Sequence, residues 1–87
     1  MDIIEIDQTN VANTYARSPL VAESGHGALI KDVNGKEYID LGSGIGVNCF
    51  GVCDEEWVKA VENQLHKIQH ISNLYYTEPQ ALLAKLL

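Results

Sequence analysis

Ala28-Leu29-Ile30-Lys31-Asp32-Val33-Asn34-Gly35-Lys36-Glu37-Tyr38-Ile39-Asp40-Leu41 reads as two extended runs around one turn. Asn34 and Gly35 both tolerate positive φ, so the pair predicts a two-residue type I′ hairpin. Ala28–Val33 and Lys36–Leu41 then pair across it. Leu29, Tyr38, Ile39 and Leu41 supply apolar surface, while Lys31, Asp32, Lys36, Glu37 and Asp40 form the wet side. Gly25-His26-Gly27, just upstream, marks a second turn. Residues 20–41 therefore read as a three-stranded antiparallel sheet.

Gly42-Ser43-Gly44-Ile45-Gly46-Val47-Asn48-Cys49-Phe50-Gly51 follows as a glycine-rich loop. Such glycine density lets a backbone bend sharply or approach a ligand closely. Asp54 then caps a long helix, with Glu55 and Glu56 at its positive end. Trp57, Val58, Val61, Leu65 and Ile68 make one apolar stripe, which carries the helix to about His70. Lys67 and His70 fall in its last turn. Ile71–Tyr76 is a connector. Thr77-Glu78-Pro79-Gln80 starts a further helix. Thr77 can accept from the Gln80 N–H, the Gln80 side chain can reach back, and Pro79 sits in the tolerant first turn. That helix runs apolar to Leu87 without a cap, which reads as the front piece of a larger protein. Before the sheet, Ile3, Ile4, Ile6, Val11, Ala12 and Tyr15 suggest a short helix or an arm, broken at Ser18-Pro19. The fold class is an α+β segment divided as arm (1–19), antiparallel sheet (20–41), glycine loop (42–53) and helices (54–87).

Twelve acidic residues against six basic ones give a net charge of −6 over 87 residues. That sign disfavours nucleic acid and anionic membranes, which attract Lys and Arg clusters. No run approaches the ~20 apolar residues of a membrane span. The acidic start, Met1-Asp2-Ile3-Ile4-Glu5, resembles neither a secretory signal nor a transit peptide. Two cysteines, Cys49 and Cys53, make no disulfide framework. Together these features predict a cytoplasmic protein.

Each chemical motif has a plain structural alternative. Gly42-x-Gly44-x-Gly46 lacks the last glycine of a dinucleotide fingerprint, and no Gly-Lys-Ser/Thr follows, so a tight turn beside a ligand or another chain is favoured over a phosphate cradle. Cys49, Cys53, Asp54, His66 and His70 invite a metal reading. Helix rise, however, sets Asp54 and His66 roughly 18 Å apart, too far for one site. No metal is expected. Ser43-Gly44 is a turn rather than a nucleophile elbow. Tyr75-Tyr76 reads as one packed and one wet phenol, or as a phenol reaching into a pocket. Tyr15 and Arg17 carry the same choice, since arginine is the usual grip for a carboxylate. None of Lys31, Lys36, Lys59, Lys67 and Lys85 lies in a convincing apolar pocket, as a Schiff-base lysine requires.

Four motifs in order carry a resemblance. Asn13-Thr14-Tyr15-Ala16-Arg17-Ser18-Pro19-Leu20 resembles the opening of acetylornithine-type aminotransferases. Val33-Asn34-Gly35-Lys36-Glu37-Tyr38-Ile39-Asp40 is similar to their hairpin, and Gly44-Ile45-Gly46-Val47-Asn48 to their glycine loop. His70-Ile71-Ser72-Asn73-Leu74-Tyr75-Tyr76-Thr77-Glu78-Pro79-Gln80 is similar to their "H-x-S-N-L-Y-Y-T-E-P-Q" segment. The likeness spans residues 11–87. These are class III aminotransferases, pyridoxal-phosphate enzymes of fold type I. The resemblance implies transfer of the δ-amino group of N-acetylornithine to 2-oxoglutarate, in arginine biosynthesis, by a homodimer acting on amino-acid and 2-oxo-acid substrates. Related alternatives are the succinylornithine, ornithine and 4-aminobutyrate aminotransferases, or a truncated module that only binds a partner.

The resemblance also assigns residues. Tyr15 matches a tyrosine lining the substrate pocket. Ser43, Gly44, Val47 and Asn48 match the loop beside it. Ile45 falls where ornithine aminotransferases carry a second tyrosine, which favours an acylated substrate. Asn73, Tyr75 and Tyr76 match the segment that reaches toward the partner subunit's site. Gly51-Val52-Cys53-Asp54-Glu55 departs from the relatives' "G-H-x-H-P". The Schiff-base lysine and the other cofactor anchors are expected beyond Leu87, so no catalytic residue is assigned within the chain.

Overall fold

The computed structural model describes residues 2–87. Helix α1 (Ile3–Asn10) starts where the Asp2 carboxylate accepts from the N–H groups of Ile4 and Glu5. Such a cap satisfies orphan donors of the first turn. An irregular arm over 11–19 leads into β1 (Ala22–His26), β2 (Leu29–Asp32) and β3 (Glu37–Ile39). The three strands form one antiparallel sheet in sequence order.

The sheet is the expected one, but its turns are built differently. Gly25 and His26 belong to β1, and His26 pairs with Leu29. The turn is therefore Gly27-Ala28, with Gly27 at φ 64°. Gly25 is a packing glycine: a Cβ there would lie 2.8 Å from the Leu29 carbonyl and 2.8 Å from Ile30 Cδ1. At the second turn only Gly35 has positive φ, at 84°, and Asn34 does not. The Gly35 N–H donates to the Asp32 carbonyl at 3.0 Å, and the Asp32 N–H donates to Lys36 at 3.0 Å. This is a three-residue loop with a left-handed glycine, not the predicted two-residue I′ turn. Asp32 selects it. Its Oδ1 accepts from the N–H groups of Asn34 (2.9 Å) and Lys36 (3.0 Å), and Oδ2 accepts from the Tyr38 hydroxyl at 3.0 Å.

Asp32 was assigned to the wet side, yet it is the one buried residue among those described, at 8% exposure. Ile30 and Tyr38 pair on its face of the sheet. Leu29, Ile39 and Leu41, read as the apolar face, are exposed. Among the described residues no apolar side chain is buried.

Contacts divide the chain into two units, one up to Trp57 and one from Val58 to Leu87. Helix α2 is a single turn, Ser43–Gly46, inside the glycine loop. Helix α3 (Glu55–Leu65) begins at Asp54, whose Oδ2 accepts from the Trp57 N–H at 3.0 Å. It ends at Leu65, five residues before the expected His70. The N–H groups of Lys67 (3.1 Å) and Ile68 (3.0 Å) both return to the Gln64 carbonyl, and the Gln64 amide donates to the Ile68 carbonyl at 2.9 Å. This closure tightens the chain out of the helix. Lys67 and His70 thus lie past the last turn. Helix α4 (Glu78–Leu86) carries Pro79 in its first turn, as expected. The capping box does not form: Thr77 is extended and its side chain caps nothing.

Candidate functional site

The segment between the sheet and α3 is built around an unusual backbone. Ser43, Gly44, Ile45 and Gly46 all have positive φ, at 52°, 58°, 59° and 83°. Left-handed backbone costs an L-residue roughly 1–2 kcal/mol, and a β-branched residue there is an outlier. The glycines at 44 and 46 lower that cost at two of the positions. Asp40 Oδ1 accepts from the Gly42 N–H at 2.9 Å and begins the turn. Ile45 N–H to Gly42 C=O and Asn48 N–H to Ser43 C=O, both 2.9 Å, close it. The side chain of Ile45 is thrown outward, 98% exposed.

The return of the chain is pinned at Val52. Gly27 and Val52 exchange two backbone hydrogen bonds, at 2.8 and 2.9 Å. Gly51 permits this approach, since a Cβ there would lie 3.0 Å from Gly27 Cα. The loop and the hairpin tip thereby border an open cavity of about 280 Å³. Asp40, Ser43, Asn48 and Cys49 line it together with Ala28 and Phe50. Ser43, Asn48 and Asp40 give this surface a polar lining that suits a polar small molecule. Ser43 and Asn48 were expected here. Asp40 and Cys49 were not, although Asp40-x-Gly42 is a readable turn signal.

The other expected site residues are distributed. Ile45 belongs to the same loop but does not line the cavity. Tyr15 lines a separate cavity of about 550 Å³ with Arg17 and α1. Asn73, Tyr75 and Tyr76 lie in the second unit, at a turn where the Tyr75 N–H donates to the Ser72 carbonyl at 3.1 Å. Neither phenol packs within the described residues: Tyr75 is 63% exposed and Tyr76 fully so.

Comparison with known proteins places this geometry. The profile of the family "Aminotransferase class-III" matches residues 10–87. The chain belongs to that family. It is 49% identical over 98% of its length to the acetylornithine aminotransferase of Methanosarcina mazei, and 48% identical over 95% to that of Haemophilus ducreyi. It spans only 22% and 21% of those proteins. Among solved structures, N-acetylornithine aminotransferase from Stenotrophomonas maltophilia matches with a TM-score of 0.84 at 33% identity, over 97% of this chain and 21% of that one. The structure is thus an α+β piece of a fold type I aminotransferase.

Class-III aminotransferases depend on pyridoxal phosphate. All five lysines here are exposed, and none has the desolvated pocket that keeps an imine-forming lysine neutral. The residues of this segment therefore do not fit covalent attachment of that cofactor. The perturbed ionisable groups are structural instead. Burial works against charge on Asp32, but the Lys36 N–H, the Tyr38 hydroxyl and the Asn34 N–H outweigh it and hold the carboxyl below its ordinary range. The same hydrogen bond, with burial, raises Tyr38 above the ordinary phenol range.

Proposed function

We propose that this chain is the N-terminal part of a transaminase that moves the δ-amino group of N-acetylornithine to 2-oxoglutarate, in the cytoplasm, toward arginine. The supporting observation is identity of 46–49% to proteins named acetylornithine aminotransferase, across 95–100% of this chain. In this reading Ser43, Gly44 and Asn48 on the loop and Tyr15 on the arm both contribute to the substrate pocket of the full-length protein, and Ile45 offers an apolar face to the acyl group. In this segment Ser43 and Asn48 line one cavity and Tyr15 a separate one. Asn73, Tyr75 and Tyr76 serve the partner subunit's site in a homodimer. The cofactor would be anchored by parts of the polypeptide outside these residues.

Steady-state transfer to 2-oxoglutarate by the full-length polypeptide tests the reading. N-acetylornithine, N-succinylornithine, ornithine and 4-aminobutyrate are compared as donors. We expect kcat/KM for N-acetylornithine to exceed that for ornithine by at least about tenfold, the scale of one well-placed apolar contact. Equal rates, or preference for ornithine or 4-aminobutyrate, overturn the assignment.

A further inference from the structure

The arm over 11–19 has neither helix nor strand. Among the described residues, no side-chain hydrogen bond reaches it. Its backbone bonds are local: Val11 N–H donates to the Asp7 carbonyl of α1 at 2.7 Å, Thr14 N–H to Ala12 C=O at 2.9 Å, and Leu20 N–H to Ser18 C=O at 2.7 Å. Beyond Val11, the side chain of Arg17 folds the arm back onto α1. One guanidinium nitrogen lies 3.5 Å from Oδ1 of Asp7, and the guanidinium carbon lies 5.7 Å from the centre of the Tyr15 ring. Asp7 is the only half-buried residue of α1. A planar guanidinium can meet a carboxylate along its edge and an aromatic ring across its face, which an ammonium cannot do as a unit. Asp7, Tyr15 and Arg17 line the same cavity of about 550 Å³.

We propose that Arg17 is a positioning residue: anchored by Asp7 on α1, it fixes the ring of Tyr15 in the orientation that meets substrate. The inference rests on the reading of Tyr15 as a wall of the substrate pocket. It gives α1 a role that no motif in the sequence announces. Asp7 on α1 is one end of a short chain of contacts, Asp7 to Arg17 to Tyr15, and the other end works at the site.

The test uses the full-length polypeptide with Asp7→Asn, Arg17→Ala, both together, and Tyr15→Ala. Donor kinetics with N-acetylornithine are read beside amide hydrogen exchange of residues 12–19. Asp7→Asn and Arg17→Ala should each raise KM about 3- to 10-fold, the scale of an exposed ion pair plus an exposed cation–π contact. The value of kcat should stay within about twofold, as expected when positioning in the bound complex is regained. Exchange of the arm should quicken in both. The double variant should be no worse than the worse single one, because both cut the same chain. If Tyr15→Ala raises KM while Asp7→Asn and Arg17→Ala change neither KM nor exchange, the clamp is overturned and the pocket reading stands. A strictly additive double variant also overturns the coupling. If Tyr15→Ala leaves KM unchanged, the reading of Tyr15 falls, and the proposal with it.

Discussion

Asp32 shows how one side chain sets a turn. Three donors converge on a carboxylate that the sheet shields, and together they favour a three-residue loop over the two-residue turn that Asn34-Gly35 suggests. The sequence pattern could not show this, because an acidic residue in an alternating strand is ordinarily solvated. The pH dependence follows from the direction of each shift. The Asp32 carboxyl is depressed in the fold, so its contribution is present above the unfolded value near 4 and is lost as pH falls through the lower folded value. The Tyr38 phenol is raised, so its contribution is present below about 10 and is lost as pH rises through the folded value. Tyr38→Phe should remove the alkaline loss and make acid unfolding begin at higher pH. Circular dichroism across a pH series, on wild type and variant, checks both limbs. An unchanged acid limb in Tyr38→Phe refutes the part given to that hydroxyl.

Among elements, the helices separate what local pattern can reveal from what it cannot. The positions of Asp54 and Pro79 and the stripe from Trp57 to Leu65 were legible, because capping and periodicity are local effects. The end of α3 was not. Ile68 continues the apolar period, yet the return of two N–H groups to Gln64 closes the helix first. Thr77 carries the right residue type without making the bond. Thr77→Ala should therefore cost less than about 0.5 kcal/mol, whereas Asp54→Ala, which removes a formed cap, should cost about 1 kcal/mol. Urea unfolding midpoints of the two variants in the full-length polypeptide compare them directly, and equal losses would contradict the difference seen between the caps. The sheet order was legible from turn signals. Its turn positions were not, because Gly25 serves a close approach to Leu29 and Ile30 rather than a reversal. In the candidate site, Ser43 and Asn48 are singled out by their motif, while Asp40 and Cys49 join the same cavity beside the bridge between Gly27 and Val52.

For the molecule as a whole, the governing fact is that none of the described apolar side chains is buried. Exposed Trp57, Val61, Leu65, Leu82, Leu83 and Leu86 bring no burial free energy until something covers them. The 87 residues expressed alone should therefore self-associate rather than persist as a dilute, stable monomer. Size-exclusion with light scattering at falling concentration decides it, and a monomer with a cooperative thermal transition would refute the expectation. The turn at Ser43–Gly46 winds with the opposite hand to α1, α3 and α4. Its backbone lies where mirror-image amino acids are most at ease. In a chain assembled chemically, D-alanine in place of Gly44 or Gly46 would hold the turn where an L-residue strains it. Cys49 stands three residues beyond that turn, at a point where two synthetic halves could be ligated.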